Sequence, residues 1–497
     1  MQSYVIRNYE EFVAYCSLST SQIQRKTAGI PGETYELFFV EQLIDKNTLH
    51  RDVLHPLLEI GGGMSSQQLM TYLPVGNALE SKDWNEIVTL LLSGWIYVGS
   101  SASSTGIVVN AEHIPSRSLS ASENESQIFG PQVGFAESID QNIALIRSYL
   151  NDPHFRTESF TIGSKTKSRI MMCYVENTNN ENARKLVQQR LADFRLDGVL
   201  DSAILSQFIE DTKGSIFPLY FLTERPDRAA ASLLEGKIVI LVGGSSRVIV
   251  GPTTFLDCFK SEEDRYLRWQ ISAFVFALRM IAVFFSLLLT PFYVAALTYH
   301  YEMIPSALLD SLASSRAKVP FPPLFEALLL EIIIELLREA GARLPTKVGQ
   351  TMGIVGGIVV GQAAVQAGFT SNLLIMIVAL GALASYTSPG FMMGSAIRIL
   401  RFPMIFIAGC WGGIGIVIGL SFLMIHLLRL TSLGASYLKP IYPLNIPQVV
   451  ALFIRPPLPD FMNKIVSILS GTSAKKASAA SDSTQKADIF EQFQEEK

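Results

Sequence analysis

Charge is scarce in this chain. Asp, Glu, Lys and Arg make up 17% of its 497 residues, against about 25% in soluble domains. The two signs nearly cancel, 40 basic against 44 acidic residues, for a formal net charge of −4. Such a balance leaves no basic footprint for nucleic acid. Cysteine is also scarce. Cys16, Cys173, Cys258 and Cys410 are scattered with no C-x-x-C pair, which excludes a zinc ribbon or a disulfide scaffold. No G-x-x-x-x-G-K-[ST] stretch occurs, so a P-loop nucleotide engine is excluded, and the runs Gly61-Gly62-Gly63 and Gly243-Gly244 read as turns. His50, His55, His113, His154, His300 and His426 make no metal-ligand spacing. His300 and His426 read as interfacial residues near span ends. No catalytic constellation is visible, so the chain reads as a non-enzyme without cofactor or metal. Met1 to Tyr15 is polar and lacks the apolar stretch of a secretory signal. The first domain is therefore expected in the cytoplasm.

What the chain has is local hydrophobicity. It is 49% apolar, with a mean hydropathy of +0.30, and nearly all the excess lies between Ile271 and Leu428. Two α/β subdomains precede that region. In residues 1–120, Leu37-Phe38-Phe39-Val40 and Gly94 to Gly99 read as strands, the second forming a hairpin with Gly106 to Val109, and Lys82 to Leu92 reads as a helix. Residues 113–128 read as a polar linker. In residues 130–260, Ser138 to Leu150 has helical spacing. Ile170 to Val175 is a buried strand, Glu181 to Phe194 an amphipathic helix, and Lys237 to Val242 with Arg247 to Val250 a hairpin. A membrane domain of four or five transmembrane helices is expected over residues 265–430. Its spans are Ile271–Leu297, Gly349–Phe369, Asn372–Thr387 and Pro403–Leu428, each judged against the ~20 apolar residues that a bilayer core requires. A largely disordered tail is expected over residues 431–497.

Two membrane segments carry more information. Leu324 to Ala340 holds Glu326, Glu331, Glu335, Arg338 and Glu339. At about 100° per residue the last four fall within a third of the circumference. Charge at the bilayer centre costs about 3 kcal/mol or more. The stripe is thus either an interfacial or re-entrant face, or an acidic vestibule formed by Glu331, Glu335 and Glu339. In the next segment, Gly353, Gly357, Gly361 and Gly368 form a small-residue packing face. Val355, Val359, Gln362 and Gln366 lie opposite it. These amides are either interhelical glue or a pore wall beside an apolar constriction. Arg279, inside the first span, is expected to pair with an acidic residue or to snorkel. Charge bias favours five crossings, with Arg338, Arg343, Lys347, Arg398 and Arg401 inside.

Several blocks carry a resemblance: Gly130-Pro131, Leu145-Ile146-Arg147, Thr223-Glu224-Arg225-Pro226-Asp227, Leu233-Leu234-Glu235-Gly236, and the run from Val319-Pro320-Phe321-Pro322-Pro323 through Glu335 to Gly341 and on to Gly361-Gln362-Ala363-Ala364-Val365. With them the chain resembles the GerA family, the A subunits of spore germinant receptors of Bacillus and Clostridium relatives, over about residues 30–440. Phe129, Ser120-Ala121-Ser122 and Gln366 depart from the family pattern, the last where many members carry Glu. The resemblance implies a cytosolic N-terminal region on the spore-core side and a multi-pass domain in the spore inner membrane. It implies a transporter-like B subunit that senses the nutrient, a lipoprotein C subunit, and homo-oligomers that conduct monovalent cations. The same resemblance leaves open an accessory stage V sporulation AF-type channel. A non-conducting receptor scaffold is the reading from a different class.

Overall fold

The structure is a computed structural model that describes residues 6–17, 23–30, 33–59, 64, 66–100, 106–111, 125, 127–176, 181–195, 197–343, 361–446 and 448–449. The chain divides into two compact units. The first holds Met1–Glu210 and Leu222–Pro252; the second holds Asp211–Phe221 and Thr253–Pro456.

The first unit contains two five-stranded sheets, β1-β2-β4-β5-β3 and β6-β7-β9-β10-β8 in spatial order. Their strands are β1 Ile23–Ile30, β2 Glu33–Val40, β3 Ala78–Ser81, β4 Trp95–Ser100, β5 Gly106–Asn110, β6 Phe155–Ile162, β7 Ser168–Val175, β8 Phe221–Thr223, β9 Ile238–Val242 and β10 Val248–Gly251. Each sheet has the same order of strands along the chain: first, second, fourth, fifth, third. A helix precedes each set (Tyr9–Cys16 and Ile139–Tyr149), and another leads into each second hairpin (Trp84–Leu92 and Pro226–Leu234). Leu91-Leu92-Ser93-Gly94 and Leu233-Leu234-Glu235-Gly236 occupy matching places, and both glycines have positive φ. The unit is thus two copies of one supersecondary design.

Alternation explains why the expected strands form. Phe38, Val40, Tyr97 and Val108 pack on one face of the first sheet with Phe12, Trp84, Ile87 and Leu91. Leu37, Phe39, Ile96, Val98 and Ile107 pack on the other with Leu49, Val53 and Leu57. Helices cover both faces, so the central strands read as unbroken apolar runs. Each such side chain removed from water contributes about 1.5–3 kcal/mol. The copies also touch: Ala144 joins the core around Phe12, and the Tyr15 hydroxyl donates to the Pro153 carbonyl at 2.9 Å.

The second unit is helical. Its main helices are Trp269–Tyr299, Ser306–Arg316, Pro323–Arg343, Gly361–Gln366, Asn372–Ser385 and Phe391–Arg429. Trp269–Tyr299 and Phe391–Arg429 are long and apolar enough to cross a membrane. The span expected over Pro403–Leu428 is corrected in one respect. Gly412 sits at φ 60°, ψ −141°, outside helical geometry, in a region that only glycine visits cheaply. There the chain reverses. Gly415 lies against the Ile407 carbonyl, and Gly419 against the Met404 sulfur. In a straight helix, positions 404 and 419 would stand about 22 Å apart. Phe391–Arg429 is therefore a helical hairpin. Its apex rests on Tyr299 and His300, and the Tyr299 hydroxyl donates to the Cys410 carbonyl at 2.7 Å. Its two feet stand at the other end of the unit. Gly390 lies against the Cys258 carbonyl, and Thr253 N donates to Ser432 Oγ at 3.0 Å.

This orders the unit from an entry end, where Thr253 begins, to a far end at Gly412. Helix Pro323–Arg343 runs from the far end, where Leu324 meets Gly409, toward the entry end, where Arg338 Nη2 donates to Ser385 Oγ at 3.0 Å. The disordered tail expected from residue 431 is also corrected for its first part. Residues 431–436 form a two-stranded ribbon, and Tyr437 is buried, its backbone N–H and carbonyl bonded to Leu430 and Phe255.

Candidate functional site

Helix Pro323–Arg343 carries four carboxylates, and the structure gives each a different environment. Glu326 is fully buried near the far end. Its Oε1 accepts from Thr370 Oγ1 at 3.0 Å and from Ser371 N at 2.6 Å, and its Oε2 stands 3.5 Å from Arg316. It thereby ties Ser306–Arg316 to the start of Asn372–Ser385. Tyr293 and Ser371 exchange a 3.1 Å hydrogen bond beside it.

Glu331 lies deeper along the bundle. Its Oε2 meets Arg401 Nη1 at 2.7 Å, with both side chains 4% exposed. Thr290 donates to the other oxygen at 2.9 Å. Arg401 Nη2 donates to Ser286 Oγ at 2.7 Å and to the Gly381 carbonyl at 3.3 Å. Four helices therefore meet in one cluster. Ser286 and Thr290 share a face of the first helix four residues apart, as helical spacing requires. A buried pair needs its remaining donors and lone pairs satisfied to offset desolvation; here, among the described residues, Arg401 Nε is the donor left without a partner.

Glu335 is half-exposed and reaches Arg338 at 3.5 Å and Arg398 at 3.4 Å. Glu339 is exposed and pairs with Arg343 at 2.6 Å. These placements correct the vestibule expected from Glu331, Glu335 and Glu339. The three do not form one water-facing wall: only Glu339 is fully at the surface, and Glu331 is an internal ion-pair partner. The cause is Arg401, a guanidinium in an apolar run that must be neutralised. In the sequence Arg401 bears on topology alone and Glu326 lies outside the stripe, so neither stands out as a cluster centre. The signal was present: an Arg amid Ile399, Leu400, Phe402 and Met404 demands a carboxylate. The same logic held for Arg279. Its Nη1 donates to Asp264 Oδ2 at 2.9 Å and to the Phe259 carbonyl at 2.6 Å, the acidic pairing that was expected.

Val355, Val359, Gly353 and Gly357 lie outside the described residues. Gln362 and Gln366 are both exposed on helix Gly361–Gln366. No atom stands within 4 Å of a Cβ built on Gly361, so no described neighbour packs there. Gly368, expected as a packing residue, also terminates its helix. Its φ is +73°, and Gly368 N and Phe369 N bond back to the Val365 and Ala364 carbonyls at 3.0 and 2.8 Å, a glycine C-terminal cap. A Cβ there would also strike the Lys318 carbonyl.

In the first unit, the Thr223–Asp227 block is a structural lock. Pro226 opens a helix, where its missing N–H costs nothing. Buried Arg225 is bidentate to Asp227 at 3.1 and 2.7 Å. Glu125, within the expected linker, accepts from Thr223 Oγ1 at 2.6 Å and from Arg228 Nη1 at 3.1 Å. Arg147 stacks over Phe155 at 5.0 Å, and burial pulls its guanidinium down to about 10. Burial pushes the Cys173 thiol up to about 12, which leaves it a poor nucleophile. Among the described residues, no group of three or more His, Cys, Asp or Glu could hold a metal ion.

The sequence pattern described as "Bacillus/Clostridium GerA spore germination protein" matches residues 12–465. Spore germination protein GerQA of Bacillus cereus is 45% identical over 406 residues, covering 82% of this chain and 81% of that protein. GerIA of the same organism is 41% identical over 458 residues, covering 91% and 68%. Spore germination protein KA of Bacillus subtilis (strain 168) is 35% identical over 465 residues, covering 92% and 86%. A crystal structure of the N-terminal domain of the A subunit of the Bacillus megaterium spore germinant receptor GerK3 is 23% identical, with a TM-score of 0.39, and covers 50% of this chain and 97% of that domain. With nearly the whole chain matched and relatives this similar along most of their lengths, the chain belongs to the GerA family of spore germination proteins.

Proposed function

We propose that this chain is the A subunit of a nutrient germinant receptor in the spore inner membrane. In this reading several copies surround an axis and form a gated path for monovalent cations out of the spore. A transporter-like B subunit senses the nutrient, and a lipoprotein C subunit completes the receptor. Binding to the partner shifts a closed-to-open equilibrium of the A-subunit ring. The first unit lies on the cytoplasmic, core side. Cation bias supports that side: Arg265, Arg268, Arg338, Arg343, Arg398 and Arg429 all belong to the entry end of the helical unit, as the positive-inside tendency requires of a cytoplasmic face.

The observation that carries the conduction reading is the pair Gln362 and Gln366. Both are exposed on the short helix Gly361–Gln366 of the second unit. In the single chain these amides have no described cover, and a hydrated lumen in an assembled ring supplies one. Val355 and Val359, seven and three residues before Gln362 in the sequence, are the residues this reading assigns to the apolar constriction. The experiment replaces Val355 or Val359 with Ala in spores and measures potassium release without nutrient. Release above wild type is expected. Release and spontaneous germination equal to wild type in both variants, at normal receptor abundance, refute the constriction.

A further inference from the structure

At the entry end of the helical unit the charge pairing is incomplete. Arg338 and Arg398, each about 15% exposed, share one carboxylate, Glu335, at 3.4–3.5 Å. That is longer than the 2.7–2.9 Å of a good charge-assisted bond and longer than the 2.7 Å of Glu331–Arg401 in the same bundle. Each guanidinium has a good partner for only one nitrogen. Arg338 Nη2 donates to Ser385 Oγ at 3.0 Å, and Arg398 Nη2 to Ser395 Oγ at 2.8 Å. Arg338 Nε and Nη1, Arg398 Nε and Ser388 Oγ are buried with no hydrogen-bond acceptor. Ser388 and Arg398 both border Gly394. The Arg338 guanidinium lies over the Tyr386 ring at 4.7 Å, which fixes its plane. Two cations against one half-exposed carboxylate leave an excess positive charge: Arg338 Nη1 and Arg398 Nε face only the Glu335 oxygens, beyond good hydrogen-bond length, and Arg338 Nε and Ser388 Oγ have no acceptor among the described residues.

We propose that this cluster is a binding site for a phosphoryl group, held by Arg338 and Arg398 with Ser388 as an additional donor. A phosphate monoanion or diester offers several acceptor oxygens at once, and paired arginines recognise them bidentately. Arg398 stands seven residues, about 10 Å of helix, from the start of Phe391–Arg429. Arg338 meets the last turn of Asn372–Ser385. This is the level at which basic pockets between membrane helices receive anionic lipid headgroups. Glu335 is the internal competitor, and its exposure lets it swing outward when the anion enters. The site does not depend on whether the protein conducts ions.

The test uses the full-length purified chain in a non-ionic detergent and follows its thermal midpoint. Dioctanoylphosphatidylglycerol, inorganic phosphate and dioctanoylphosphatidylcholine are titrated separately at constant ionic strength. A saturable rise with the phosphatidylglycerol alone assigns the site to a lipid headgroup; a rise with inorganic phosphate as well assigns it to phosphoryl groups from either source. Arg398→Gln is expected to weaken the apparent affinity about tenfold or more, as loss of a charge-assisted bond does. Arg343→Gln, which alters an exposed arginine of the same end, is expected to leave it unchanged. Glu335→Gln removes the competitor and strengthens binding, and it serves as the decisive variant should Arg398→Gln fail to fold. No rise with either anionic probe, an effect from phosphatidylcholine equal to theirs, or equal responses in Arg398→Gln and Arg343→Gln overturns the proposal. So does weaker binding in Glu335→Gln.

Discussion

The Glu331–Arg401 pair offers the sharpest quantitative test of how the helical unit is held. The two side chains meet at 2.7 Å and are almost wholly buried. At an effective dielectric of 20, unit charges about 4 Å apart attract by about 4 kcal/mol. Neutralising one partner strands the other, and breaking a buried pair this way costs about 3–5 kcal/mol. Glu331→Gln keeps the shape and an acceptor for Thr290, so most of its effect is electrostatic. For a unit of roughly 200 residues, 1 kcal/mol moves the thermal midpoint by about 2–4 °C. Glu331→Gln and Arg401→Met should each lower it by about 6–20 °C. Replacing both by apolar residues removes the stranded charge, so Glu331→Leu with Arg401→Met should fall far short of the summed single losses, with a coupling of about 2–3 kcal/mol. The assay is thermal unfolding of the detergent-purified full chain, read by intrinsic fluorescence. Singles within 1 °C of wild type, or a strictly additive double variant, would falsify the view that this pair organises the bundle.

Three further outcomes are expected. In a Cys410→Ser background, a short thiol cross-linker should join Met404→Cys to Gly419→Cys within one chain; absence of the product means a straight helix rather than a hairpin. Gly412→Ala forces an L side chain into a glycine-only region at a cost of about 1–3 kcal/mol, so its midpoint should drop while Gly413→Ala, in helical backbone, stays within about 1 kcal/mol. Asp201 caps helix Ser202–Ile209 and accepts from Ser245 Oγ at 2.6 Å. Burial raises its carboxyl, but the bonds from Ser245 and from the Ala203 and Ser202 N–H groups outweigh that and hold it below the usual range. Its contribution is therefore complete above the ordinary Asp value of about 4 and is lost as pH falls through the depressed folded value. Asp201→Asn, still a good cap, should flatten the acid limb of the stability profile; an unchanged limb by circular dichroism refutes the assignment.

The strands legible in the sequence were β2, β4, β5, β7, β9 and β10. The four not seen, β1, β3, β6 and β8, are the edges of the two sheets. Interior strands are buried on both faces and spell continuous apolar runs such as Ile238-Val239-Ile240-Leu241-Val242. Edge strands must instead discourage pairing with other chains. β1 reads Ile-Gln-Arg-Lys-Thr-Ala-Gly-Ile, and its only signal is register against β2, from Ile23 opposite Val40 to Ile30 opposite Glu33. Pairing information of that kind resides in the partner. The repeat of the strand order escaped notice for the same reason: only the Leu-Leu-x-Gly turn survives as letters, while the shared topology includes the edges.

The charges in the helical unit were legible as a problem and not as a solution. A guanidinium in an apolar run demands a counter-charge or a route to water; of those two expectations for Arg279, the structure shows the acid, Asp264. Which acid answers which base depends on the three-dimensional order of the helices. Read as one span, Pro403–Leu428 carries the chain across once and leaves Arg401 without an evident neighbour. Folded at Gly412, the same residues go out and return, bringing residues 430–437 beside Thr253 and Phe255; Arg401 stands midway along the ascending arm, level with Glu331. The clue was the pair Gly412-Gly413 at the centre of a stretch that, from Phe391 to Arg429, is 39 residues long. That is about 58 Å as one helix, nearly twice a bilayer core of about 30 Å. Length, more than composition, distinguishes a hairpin from a span.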